Sequence, residues 1–154
     1  AGLCSDRLAT WEVCNTHITA LDINDGHVLW KILDVGQAEA DPRPVVFESY
    51  MLVMHAADDV SGEVRCFDLR TGERRWTFEL GRARGPSWVV HGCNIAAGDD
   101  GVVYASISHQ ERAKDAKFDH TVLTAIDIRR GQLLWNRSFD NETCATRSAV
   151  YEVG

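Results

Sequence analysis

Residues 18–31 read Ile18-Thr19-Ala20-Leu21-Asp22-Ile23-Asn24-Asp25-Gly26-His27-Val28-Leu29-Trp30-Lys31. Asp22, Gly26 and Trp30 are evenly spaced in this stretch, and the same spacing returns at Asp68, Gly72, Trp76 and at Asp127, Gly131, Trp135. From the chain's own frequencies of Asp, Gly and Trp, such a triple is expected roughly 0.03 times by chance. Three occurrences mark an internal repeat, and a repeat governs every later assignment. An alternating stretch precedes each Asp: Ile18 to Leu21, Val64 to Phe67, Leu123 to Ile126. A strand carrying the Trp follows each Gly, and a short polar turn lies between, ending in the Gly, where a positive φ costs nothing. Each unit therefore contains a β-hairpin. The Asp is placed to accept hydrogen bonds from the turn backbone, and the Trp has the area to cover a neighbouring unit.

Working outward, Leu8 to Cys14, Tyr50 to Ala56 and Gly101 to Ser108 supply a further strand for each unit. Val45 to Glu48 and Ser87 to Gly92 fit innermost strands of the second and third units. About four strands per unit make a propeller blade. The expected fold is all-β: three four-stranded antiparallel blades forming part of a larger closed propeller. Blade one covers about 8–33, blade two about 44–80 and blade three about 87–139, with 140–154 beginning a following strand or a linker. Asp68 follows Asp22 by 46 residues, whereas Asp127 follows Asp68 by 59. The excess is assigned to a polar insertion, His109 to His120, between two strands of blade three.

The pattern Ala-x-Asp-x-x-x-Gly-x-x-x-Trp resembles the PQQ-like propeller repeat of quinoprotein alcohol dehydrogenases. Similar repeats occur in bacterial outer-membrane assembly lipoproteins and in luminal propellers of the endoplasmic reticulum. The resemblance covers roughly residues 8 to 139 and specifies the blade, not the function. Blade two departs from it with Cys66 where its siblings have Ala20 and Ala125, which a small apolar thiol tolerates. A larger departure is blade number, because closed propellers use about four to eight. Three blades leave two apolar faces uncovered, with Trp11, Leu21 and Ile23 at one end and Trp135 and Phe139 at the other. Residues 1 to 154 are thus not expected to be a stable isolated monomer. The expected partners are further blades, from the same polypeptide or from another chain.

A net charge of −7 argues against a phosphate-binding surface, so no nucleic acid is expected. The basic run Arg70, Arg74, Arg75, Arg82 and Arg84 is interrupted by Glu73 and Glu79 and reads as a solvated strand face. No apolar run approaches the roughly 18 residues of a membrane helix. The dehydrogenases of the resembling family imply a quinone, a calcium held by Glu, Asn and Asp, and a vicinal disulfide. None of Cys4, Cys14, Cys66, Cys93 and Cys144 is adjacent to another, and the calcium set does not carry over. No cofactor, metal or catalytic residue is therefore assigned. Asp58-Asp59 and Asp99-Asp100 read as turn residues, and Asp22 to Gly26 lacks the Gly and Glu placement of a calcium loop.

With Cys66 read as a buried thiol, Cys4, Cys14, Cys93 and Cys144 remain, compatible with two disulfides in three pairings. Sequons stand at Asn136 and Asn141, the latter in an expected loop. With the habits of the family, these point to a secreted, periplasmic or luminal protein. The functional expectation is a non-catalytic scaffold that presents loops and edges to protein partners. The alternatives are a segment of a PQQ-dependent dehydrogenase and an extracellular structural or carbohydrate-facing module. Within the insertion, read as a solvated loop, Arg112, Lys114, Asp115 and Lys117 are the candidate partner contacts.

Overall fold

The computed structural model describes residues 2–4, 7–11, 17–22, 24–33, 44–58, 61–82, 85, 87–111 and 118–142. Twelve strands run in chain order. Blade one holds β1 (Gly2–Cys4), β2 (Arg7–Trp11), β3 (His17–Asp22) and β4 (Val28–Leu33). Blade two holds β5 (Val45–Phe47), β6 (Tyr50–Asp58), β7 (Ser61–Asp68) and β8 (Arg74–Arg82). Blade three holds β9 (Trp88–Ala97), β10 (Val102–Glu111), β11 (Phe118–Asp127) and β12 (Gln132–Glu142). Each blade is one four-stranded antiparallel sheet in which every strand pairs with its neighbour in sequence.

Blade two is covered on both sides, and its sequence shows it. Met51, Leu52, Val53 and Met54 are consecutive and all buried. Period-two alternation vanishes where both faces of a strand are packed. Met51 and Val53 join Ile18, Phe67 and Leu69 in one core with Trp30 and Ile32 against it. Leu52 and Met54 join Val64, Cys66 and Leu80 with Val103, Ala105, Ile107, Ile126 and Ile128 in the other. These two cores are the joints between blades. Each fully buried aliphatic side chain in them contributes roughly 1.5–3 kcal/mol.

The sheets carry a shared irregularity. The register of the last strand pair slips between Ala20 and Leu21, between Cys66 and Phe67, and between Ala125 and Ile126. Just before each slip the repeat Trp lies directly opposite the small residue: Trp30 on Ala20, Trp76 on Cys66, Trp135 on Ala125. A bulge re-aims the side chains beside it and strengthens local twist. Cys66 in place of alanine is thus a packing matter. Burial pushes its thiol up to about 12, and burial likewise pushes Cys93 up to about 11. A raised pKa keeps a thiol protonated and unreactive. At pH 8 both thiols of the native protein are expected to alkylate slowly and to become fast on unfolding; mass spectrometry of labelled peptides reads this directly.

Several expectations change. Gly2–Cys4 is a strand of blade one, earlier than the anticipated start at about residue 8, and blade three extends to Glu142. The insertion is not a loop at its ends: His109 pairs with His120 and Gln110 with Asp119, so β10 and β11 are a long hairpin. His109 and His120 are buried, because alternation along β10 sets His109 on the face of Val103, Ala105 and Ile107. Arg112, Lys114, Asp115 and Lys117 lie outside the described residues. Asn141 lies in β12, paired with Asp119, and not in a loop. Asn136 is exposed on the same strand. Cys66 and Cys93 are free thiols, so Cys93 leaves the proposed disulfide set.

Candidate functional site

The chemistry repeated three times in this chain sits where one blade meets the next. Each turn after the third strand of a blade is closed the same way. The N–H groups of Gly26, Gly72 and Gly131 donate to the carbonyls of Asp22, Asp68 and Asp127 at 2.8 Å. The carboxylates cap the turn from inside: Asp22 accepts from Asn24 N–H at 2.8 Å, Asp68 from Arg70 at 2.9 Å and Thr71 at 3.1 Å, and Asp127 from Arg130 at 2.9 Å. Side-chain acceptors of this kind replace water for backbone donors that no strand satisfies.

The indoles tie these turns together across blades. Trp30 Nε1–H donates to the Leu69 carbonyl at 3.0 Å, and Trp76 Nε1–H donates to the Ile128 carbonyl at 2.8 Å. Leu69 and Ile128 each follow a repeat aspartate. The indoles of Trp30 and Trp76 each crowd the glycine of the turn they enter. A Cβ on Gly72 would stand 2.8 Å from Trp30 Cδ2, and one on Gly131 would stand 2.6 Å from Trp76 Cγ. Asp, Gly and Trp therefore form one device with its parts on adjacent blades: the Trp is the plug, and the Asp-to-Gly turn of the next blade is the socket.

The two ends of the fan hold the unused halves. Nothing lies within 4 Å of a Cβ placed on Gly26, so the socket of blade one is open among the described residues. Trp135 is 41% exposed and Phe139 46%, whereas Trp30 and Trp76 are half-buried. Trp135 leans on Tyr104, with ring centroids 6.1 Å apart. With Leu123, Arg137 and Phe139 it lines an open groove of about 630 Å³ on the free side of blade three.

Charged groups around the sockets are structural in their placement. Arg75 donates to Asp68, and this hydrogen bond outweighs the opposing effect of partial burial, with the N–H groups of Arg70 and Thr71 adding to it. The Asp68 carboxyl is held below its ordinary value. A depressed carboxylate stabilises the fold above its unfolded pKa, near 3.9, and that contribution disappears as pH falls through the folded value. The stability advantage of the native sequence over Asp68→Asn is accordingly expected to shrink on titrating from pH 6 to pH 3, followed by denaturant unfolding. Asp22, Asp25 and His27 are close enough to share an ion. Their atoms are already committed to the turn, with Asp25 Oδ1 2.6 Å from His27 Nδ1.

Residues 13–151 match the family described as outer membrane protein assembly factor BamB, whose unit is the PQQ-like repeat. The chain belongs to this PQQ-like propeller family. Among curated proteins, this family member is 27% identical over 157 residues to the outer membrane protein assembly factor BamB of Yersinia pestis, a match covering 78% of this chain. The match spans 38% of that relative's length. Among solved structures, the quinohemoprotein alcohol dehydrogenase ADHIIG of Pseudomonas putida HK5 superposes with a TM-score of 0.59 at 13% identity, over 86% of this chain and 25% of the dehydrogenase. BamB of Moraxella catarrhalis superposes with a TM-score of 0.45 at 16% identity, over 88% of this chain and 46% of that protein. The dehydrogenase superposition shows that PQQ-like propeller blades are the fold of this chain, and at that identity it shows the fold alone.

Proposed function

We propose that this chain is a non-catalytic segment of a PQQ-like propeller, serving as a scaffold for protein–protein interaction in an extracytoplasmic protein. The observation that carries the reading is the use made of the repeat. Among the described residues, the recurring Asp and Trp side chains and the Gly backbone hold turns and joints, and both joints are accounted for by packing and hydrogen bonding. Membership in a family described as an outer membrane assembly factor supports an assembly role. A scaffold of this kind works through rigid surfaces, which three-dimensional packing of blades supplies.

The direct test is functional replacement. The full-length protein, expressed in a bacterium lacking its own BamB, is expected to restore outer-membrane protein levels. Failure to do so, together with dye-linked alcohol oxidation by the purified, calcium- and quinone-supplemented protein, would overturn the scaffold reading in favour of a dehydrogenase segment. The residues between β10 and β11 in the sequence are the second point of test. Removing residues 112–117 and rejoining the strands by a two-residue turn is expected to preserve the unfolding transition while weakening partner capture. Unchanged capture in that variant rules the hairpin out as a contact arm.

A further inference from the structure

Away from the repeat residues, blade three carries three metal-binding side-chain types on one line across its sheet. His109 on β10 lies directly opposite His120 on β11, and His120 lies directly opposite Asp140 on β12. Residues directly opposite in an antiparallel sheet share a face. This is the face of Val103, Ala105 and Ile107, which packs on blade two. Both imidazoles are buried, with His109 1% and His120 6% exposed. Their ring planes are 23° apart and their centroids 6.3 Å apart. His120 Nδ1 stands 2.7 Å from Asp140 Oδ1. Seven residues before the repeat aspartate, blades one and two have Asn15 and Ser61 where blade three has His120, so the row is particular to blade three.

The carboxylate prepares His120 as a ligand. With Nδ1–H donated to Asp140, Nε2 of the neutral ring carries the lone pair, and metal-binding histidines are held from behind in this way. The spacing of the rings is also suitable. A zinc–nitrogen bond is about 2.0–2.1 Å and a ring nitrogen stands about 1.2 Å from its ring centre, so two imidazoles on one ion have centroids up to about 6.5 Å apart. Imidazole donors favour zinc, nickel and copper over calcium and magnesium, which take oxygen. We propose that His109 and His120 form a two-imidazole site for a divalent ion of the zinc, nickel or copper kind, with Asp140 as the positioning carboxylate behind His120. The ion ties β10 to β11 directly and reaches β12 through Asp140. It staples the last three strands of blade three at the end of the sheet away from the β11–β12 turn that receives Trp76. Its other coordination positions are left to water. The site is independent of the scaffold reading.

The test titrates the full-length protein with zinc against a chromophoric indicator and follows hydrogen exchange in peptides covering β10 to β12. Zinc is expected to slow exchange in β10 and β11 of the native protein. His109→Gln and His120→Gln are each expected to lose one zinc per chain and the protection with it. Asp140→Asn removes only the positioning carboxylate, from a side chain that is 62% exposed, and keeps the test open where a buried histidine variant fails to fold. It is expected to weaken zinc at this site about 10–100-fold. His27→Ala, which breaks the exposed cluster of Asp22, Asp25 and His27, is expected to leave the protection of β10 and β11 unchanged. Zinc that leaves exchange in β10 and β11 of the native protein untouched would overturn the proposal. So would protection that persists in the histidine variants, or an Asp140→Asn variant that binds as tightly as the native protein.

Discussion

Replacing Trp76 by alanine is expected to lower the stability of the packed blades by roughly 3–5 kcal/mol, the range for deleting a large aromatic from a core. Three losses combine. The indole area leaves the joint between blades two and three, the Ile128 carbonyl loses its donor at 2.8 Å, and the surface of Gly131 is uncovered. Trp76→Phe separates them: it keeps much of the ring and removes the donor, for an expected cost nearer 0.5–1.5 kcal/mol. Trp135→Ala is expected to cost less than Trp76→Ala, since Trp135 is already 41% exposed. Denaturant unfolding followed by near-ultraviolet circular dichroism ranks the three. A neutral Trp76→Ala would remove the plug-and-socket account altogether.

The second large effect comes from the socket. Gly131 has φ near 66° and would place a Cβ 2.6 Å from Trp76 Cγ and 2.7 Å from Cδ2. Valine there meets two penalties, about 1–2 kcal/mol for the left-handed backbone and about 1–3 kcal/mol for forcing the ring away. Gly26 has φ near 74° but nothing within 4 Å, so Gly26→Val meets only the first penalty. The difference between the two variants measures the closeness of the joint. In a Trp76→Ala background the extra cost of Gly131→Val is expected to fall by about 1 kcal/mol or more, a coupling that a double-mutant cycle isolates. Additive effects would mean that ring and turn do not touch in solution.

The blades were legible because their code is local. Asp, Gly and Trp at fixed short spacing, with alternating residues before and a strand after, describe a hairpin that forms without reference to distant sequence. What escaped the sequence lies across joints or lacks a pattern. The Glu48–Arg129 pair joins residues 81 apart, and no periodicity announces such a contact. Gly2–Cys4 is too short to alternate, so β1 left no signature. The segment His109 to His120 looked like a solvated insertion because charge dominates it. Its two histidines nevertheless continue a hairpin whose inner face packs on a neighbour, and polarity hid their burial. Counting left Cys93 compatible with a disulfide, whereas it is a free thiol packed against the apolar joint between blades two and three.

The direction of the plug has a consequence during synthesis. Trp30 reaches forward 39 residues to Leu69, and Trp76 reaches forward 52 to Ile128. Each indole therefore leaves the ribosome well before the carbonyl that will receive it. At roughly 5–20 residues per second, Trp76 waits about 3–10 s for the residues of its socket to be made. A nascent chain of this kind always displays one unsatisfied tryptophan at its growing edge, and each finished blade hides the last while exposing the next. The apolar edge that awaits a neighbour thus moves along the polypeptide at the pace of translation.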